Sequence, residues 1–297
     1  MSEKLAARIQ AAIKREGCRP SGIGVQLKTG RSMMIGIILP DLSNPFGLDI
    51  IRGIDSVITP SNFMMLLAGT KLGVTEAETV AAAVSRGVDG IIVNPHLPRK
   101  EFERARKSAG PDIPFVLVDN CLPGSGIDFV GSDNRKGATE LVKRLYASGH
   151  RRIGYIGTGR KLYASQERYS GYREGLALCG LQEDAKLVSR SLFGETGIPE
   201  TLNAMLKAKP DALFVESLQY FKTGFEILDL RKIRIPEDIM LAGFDFSSPR
   251  REGIVSCLQD GEAMGRLAAS RLKELISGNA GTGSPSFELL VEPKFDA

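Results

Sequence analysis

A chain of 297 residues, 42% apolar and 25% charged, has room for one large or two medium soluble domains with real cores. Cys18, Cys121, Cys179 and Cys257 lie far apart and His96 and His150 stand alone, which excludes a disulfide framework and a zinc site. No apolar run approaches the ~18 residues of a membrane span and the amino terminus is polar, so a cytoplasmic protein without a signal peptide is expected.

The net charge of +4 is unevenly placed. Residues 1–31 carry Lys4, Arg8, Lys14, Arg15, Arg19, Lys28 and Arg31 against Glu3 and Glu16, a basic arm that suits a polyanion. Ser2 is a good helix cap, Leu5, Ile9, Ala12 and Ile13 form one apolar stripe, and Gly17 is a natural stop. The stripe has nothing within the arm to bury against. After Pro20, the segment 22–28 holds Gly22 and Gly24, each costing about 1 kcal/mol in a helix interior. It is expected to become helical only against a partner.

Met33 to Leu39 reads as a strand buried on both faces. Pro40 and Asp41 stop it, Ser43, Asn44 and Pro45 turn the chain, and Leu48, Ile51 and Ile54 fall at helical spacing. Further strands are predicted at Phe63–Leu67, Val88–Val93 and Ile113–Val118, with helices at Glu76–Ser85 and near Arg99–Lys107. The pattern then repeats. Arg152–Gly157 echoes Met34–Leu39, Tyr172–Leu176 echoes the first helix, and Pro210–Val215 follows at nearly the spacing that separates Ile35 from Val88. Pro114–Asp119 and Ile239–Asp245 match as fourth strands. Helix Glu262–Ile276 and strand Phe287–Val291 return to complete the sheets. The fold class is therefore α/β: two similar doubly wound parallel-sheet lobes with a polar cleft at the carboxyl ends of their strands.

Tools of catalysis are missing. There is no GxSxG elbow, no GxxxxGK[ST] loop, no HExxH and no GxGxxG after a strand, and Gly157 to Lys161 lacks the Lys-Ser/Thr of a phosphate loop. Neither catalytic residues nor a metal nor a cofactor is expected. Binding fits these residues better than turnover.

The stretches IGIILPDLSNPF, VDGIIV, FVLVDN, SDNRKGA, SGHRRIGYIG, ERYSGYREGL, IPEDIMLAGFD and LQDGEAMG stand in an order and spacing that resemble the lactose-repressor family of bacterial transcription regulators. The resemblance implies a periplasmic-binding-protein-like fold, with 1–19 as the last helix of a DNA-binding domain whose helix-turn-helix is absent. It implies a hinge over 20–31, in which Ser21, Gln26 and Leu27 contact DNA and Leu27 wedges a base step. The lobes would comprise 32–131 plus 260–280, and 132–259 plus 281–297. The resemblance also implies that Asn44, Phe46, Asn94, Asp119, Arg168, Ser217, Asp245 and Gln259 bind an effector. Arg168 would fork onto sugar hydroxyls, a carboxylate or a phosphate, and its loss would remove hydrogen bonds but no core volume.

The expected function is a ligand-responsive regulator, a homodimer that senses a sugar or sugar derivative and binds duplex operator DNA in its full-length form. The competing reading is a soluble sugar-binding protein of the periplasmic type without a DNA role. The missing signal peptide and the basic hinge count against it.

Overall fold

Alternate residues of one short strand feed two different cores. In the computed structural model, which describes residues 15, 30–70, 74–110, 113–158, 161–190, 197–246, 253–278 and 286–296, strand β1 spans Met34–Leu39. Ile35, Ile37 and Leu39 enter the cluster on one face of their sheet, and Ile38 enters the cluster on the other. Burial on both faces is why this stretch is apolar throughout rather than alternating. The expectations for the arm over 1–19 and for Ser21, Gln26 and Leu27 of the hinge lie outside the described residues.

The first sheet continues with helix α1 (Pro45–Ile58), β2 (Met64–Gly69), α2 (Glu76–Ser85), β3 (Gly90–Val93), α3 (Arg99–Ala109), β4 (Phe115–Val118) and β5 (Asp128–Ser132). The second is built from α4 (Asn134–Ala147), β6 (Ile153–Gly157), α5 (Tyr163–Leu178), β7 (Val188–Arg190), α6 (Gly197–Lys207), β8 (Ala212–Val215), α7 (Leu218–Leu230), β9 (Met240–Phe244) and β10 (Ile254–Leu258). Helix α8 (Gly261–Ile276), β11 (Glu288–Val291) and β12 (Lys294–Phe295) follow. The six-stranded sheets run β11-β5-β4-β3-β1-β2 and β12-β10-β9-β8-β6-β7, with every pairing parallel except that of β12 with β10. Both are doubly wound α/β sheets of the same order, as the repeated pattern implied.

One assignment needs correction. The segment 281–297 was expected to belong wholly to the second lobe, yet β11 pairs with β5 in the first sheet and only β12 joins the second. The pairing is held at its start by Asp128, whose carboxylate accepts the Phe287 N–H at 2.8 Å and the Arg271 Nε–H at 2.6 Å. The chain thus passes between lobes three times, after β5, after β10 and after β11. Asp133 and Asp260 stand at the first two passages and cap α4 and α8, accepting from Lys136 N and Ala263 N.

Each lobe carries one helix pair packed backbone to backbone. A Cβ on Gly265 of α8 would lie 2.1 Å from the Ile50 carbonyl oxygen of α1, and one on Gly171 of α5 would lie 2.2 Å from that of Arg135 in α4. No side chain fits either place. Gly265→Ala should therefore part α1 from α8 and lower folding stability by about 1–3 kcal/mol. Gly224 of α7 has no atom within 4 Å of an added Cβ, so Gly224→Ala should stabilise by up to about 1 kcal/mol. Chemical denaturation midpoints of the two variants check both signs.

Candidate functional site

Because every strand but β12 runs parallel, the carboxyl ends of both sheets open on the same gap. There the two lobes enclose a cavity of about 550 Å³. The loop after β1 supplies Asp41, Asn44 and Phe46, β2 leads to Thr70, β3 to Asn94 and His96, and β4 to Asp119 and Asn120. From the second lobe come Thr158 after β6, Ser165 and Arg168 of α5, Glu216 and Ser217 after β8, Asp245 after β9 and Gln259 after β10. All eight effector-site residues named from the sequence line this one cavity.

Arg168 lines it and is buried rather than exposed at the start of its helix. Its Nε–H donates to Asn134 Oδ1 at 2.6 Å, its Nη1 donates to the Glu216 carbonyl at 2.7 Å, and the guanidinium lies 3.9 Å over the Phe244 ring. Among the described residues these leave Nη2 without a hydrogen bond, in a residue that lines the cavity. This corrects the expectation that losing Arg168 would spare the fold: Asn134 and the Glu216 carbonyl would each lose a donor in a buried place.

Two aspartates face it from equivalent places. Asp119 follows β4 and Asp245 follows β9, and both take the left-handed backbone, at φ 68° and 62°. Asp tolerates that conformation better than most residues, and such outliers gather where a side chain must be aimed. Asn94 Nδ2 donates to Asp119 Oδ2 at 2.8 Å, while Asp119 Oδ1 is buried without a partner. Gln259 embraces Asp245, its backbone N–H donating to Oδ1 at 3.0 Å and its Nε2 to Oδ2 at 2.6 Å, which leaves Gln259 Oε1 buried and unpartnered. Burial pushes the Asp119 carboxyl up to about 6 against the pull of Arg168 and Asn94, with the Asp245 charge adding to the rise. Asp245 is likewise raised by burial, and Arg168 and Gln259 oppose this.

The other lining residues divide by what already occupies them. Glu216 is committed to its own lobe, accepting from Tyr155 Oη at 2.8 Å, from the Thr158 N–H at 3.1 Å and from the Ser165 hydroxyl. Asn44 caps α1, its Oδ1 accepting the Phe46 N–H at 3.1 Å, and Phe46 is half-buried against the first-lobe core. Ser217 precedes α7 and makes no side-chain capping bond. Asn120 and Ser165 were missed as site residues. Asn120 stood in plain view beside Asp119, but nothing in the sequence marks an Asn whose partner is 44 residues away. Among the described residues no group of three or more His, Cys, Asp or Glu could hold a metal ion, and no helix is long and apolar enough to cross a membrane.

With this geometry in hand the comparisons are informative. Residues 142–294 match the family of periplasmic binding protein-like domains. The chain is 26% identical over 290 residues to the HTH-type transcriptional regulator KdgR of Bacillus subtilis (strain 168), covering 95% of this chain and 85% of that one. It is 27% identical over 282 residues to the HTH-type transcriptional regulator CelR of Thermobifida fusca, covering 91% and 82%. The fold is similar to that of a transcriptional regulator CelR–cellobiose complex, with a TM-score of 0.79 at 24% identity over 100% of this chain and 90% of that one.

The site makes a prediction of its own. A carboxyl with a folded-state pKa raised from 3.8 to about 6 binds its proton more tightly when folded. Its stabilising contribution is complete below about pH 4 and lost as the pH rises through 6. Asp119→Asn keeps the shape, tolerates the same backbone and removes that loss. The stability of the variant relative to the parent should rise between pH 4 and 6, by on the order of 3 kcal/mol. A difference that is flat across this range in denaturant titrations would show that Asp119 is not held protonated.

Proposed function

The chain belongs to the family of periplasmic-binding-protein-like domains, and within it to the lactose-repressor type of transcription regulator; from this we propose that it is a cytoplasmic regulator whose hold on operator DNA is set by a neutral sugar in the interlobe cavity. One observation carries the choice of ligand. Arg168 is the sole Lys or Arg lining the cavity among the described residues, while Asp41, Asp119, Glu216 and Asp245 all line it. An anionic ligand would meet net repulsion, whereas hydroxyls can donate to Asp119 Oδ1 and Gln259 Oε1, the two buried acceptors without partners among the described residues that line the cavity. Of hydroxyls, carboxylate and phosphate, this supports hydroxyls as the partners of Arg168.

In this reading Arg168 Nη2, Asp119, Asp245, Asn94, Gln259, Ser217 and Asn44 meet the sugar hydroxyls, and the Phe46 ring lies against a sugar face. The cavity falls within the range of small-molecule pockets, ~300–1,000 Å³. Cellobiose in the complex of similar fold supports a mono- or disaccharide. Sugar binding closes the cleft and changes how Ser21, Gln26 and Leu27 meet the DNA.

The chain acts as a homodimer in this reading. Strand β2 ends the first sheet, and its Met64 and Leu67, with Leu48 of α1, are exposed apolar groups along that edge. An uncovered apolar edge is what a second copy would cover.

Two measurements test these statements. In calorimetry against a panel of neutral mono- and disaccharides and their phosphorylated forms, at least one neutral sugar should bind, and its phosphate ester should bind at least ~10-fold more weakly. Arg168→Ala should weaken that sugar by about 100-fold, the loss of a charged hydrogen-bond donor, when assayed well below its lowered melting temperature. Equal or tighter binding of the phosphate ester would reverse the ligand assignment. In sedimentation equilibrium the parent should be dimeric, and Met64→Lys with Leu67→Lys should shift it toward monomer; an unchanged mass would move the interface elsewhere.

A further inference from the structure

We propose that Asn120 is a positioning residue that couples the cleft to its own closure, by capping from the first lobe the helix of the second lobe that carries Ser165 and Arg168. The argument starts at the end of that helix. The first turn of any helix presents N–H groups with no partner of their own, and a polar side chain just before the helix normally accepts one. Helix α5 is headed by Leu162, whose side chain can accept nothing. The Ala164 N–H instead donates to Asn120 Oδ1 at 3.1 Å, across the gap between lobes.

The orientation of the Asn120 amide is fixed by its own surroundings. Its Nδ2 donates to Asn94 Oδ1 at 2.8 Å and approaches Asp119 Oδ2 at 3.4 Å. Asn94 Nδ2 donates in turn to Asp119 Oδ2 at 2.8 Å. Reversing any amide would set donor against donor. The result is a one-way chain of hydrogen bonds from the cavity carboxylate of Asp119, through Asn94 and Asn120, to the amino terminus of α5. An apolar contact runs beside it: Tyr163, the first residue of α5, meets Phe129 of β5 edge-on at 5.5 Å and packs on the first-lobe core. Separating the lobes removes both the cap and this contact from the turn that presents Ser165, three residues before Arg168. Any ligand that re-orients Asp119 or Asn94 changes the strength of the cap.

The inference can be tested without an effector, so its outcome is independent of the sugar assignment. Amide exchange is followed in the full chain. In the parent, the Ala164 amide should be slow for a first-turn position. Asn120→Ala should speed it on the order of tenfold, leave the amides of β6 unchanged and increase the radius of gyration measured by X-ray scattering. Adding Leu162→Asp to Asn120→Ala gives α5 a cap of its own, which should restore slow exchange at Ala164 while the scattering stays expanded. Unchanged Ala164 exchange in Asn120→Ala would overturn the proposal. So would an equal rise in exchange across both lobes, which would mark Asn120 as a general stability residue.

Discussion

A buried guanidinium sets the terms for this cleft. Removing a cation from water is costly unless its donors are met and opposite charge lies near. Arg168 has Asn134, the Glu216 carbonyl and the face of Phe244 as fixed partners. It also lowers the pKa values of Asp119, Glu216 and Asp245, each of which burial alone would push further up. The dependence is mutual. Without Arg168 the site would hold several buried carboxyls with no counter-charge, and without them the arginine would be an uncompensated cation. Nη2, whose N–H groups no described residue accepts, is available to a guest.

The duplication explains how such a group comes to be faced from both sides. Each sheet ends its fourth strand in an aspartate with a left-handed backbone, and each lobe packs one helix pair through glycine against a carbonyl. The crossings after β5 and β10 exchange helices, so that α4 follows a first-sheet strand and α8 a second-sheet strand. Asp133 and Asp260 cap those helices where the chain changes lobe. Local capping thus fixes the ends of the connections while the body of each lobe is held by its own cores.

Where burial is two-sided the sequence announces it. The runs 34–39, 90–93, 115–118, 153–157 and 212–215 are apolar because both faces of their sheets are covered. Their repetition implied a cleft at the carboxyl ends of the strands, and the eight residues that the family resemblance implied for an effector site all line it. Strands β5 and β7 were not legible for a physical reason: β5 opens on Asp128, which carries an ion pair to Arg271, and β7 is three half-exposed residues. The lobe to which β11 belongs depended on a hydrogen bond between Asp128 and Phe287, 159 residues apart, which no local pattern encodes. Arg168 was read as an effector ligand, but its burial was not legible because its partners, Asn134 and Glu216, lie in other elements. The arm and hinge were read from charge, local helix signals and resemblance.

The contrast between lobe interiors and the surface between lobes fixes how the molecule can respond. Each lobe is closed by tens of fully buried apolar side chains, whose combined burial outweighs anything a small ligand could supply. Across the gap the contacts are of a different order: the Ala164–Asn120 hydrogen bond and the Tyr163–Phe129 contact are each worth about 1 kcal/mol. An open and a closed arrangement then differ by a few such terms. A guest that satisfies Asp119 Oδ1, Gln259 Oε1 and Arg168 Nη2 only when both lobes surround it brings differential binding of the same size. A ligand shifts an equilibrium by no more than that difference. Rigid lobes with a weakly tied, polar interface therefore suit a two-state element that, on the proposed function, a ligand of modest affinity moves without disturbing either core.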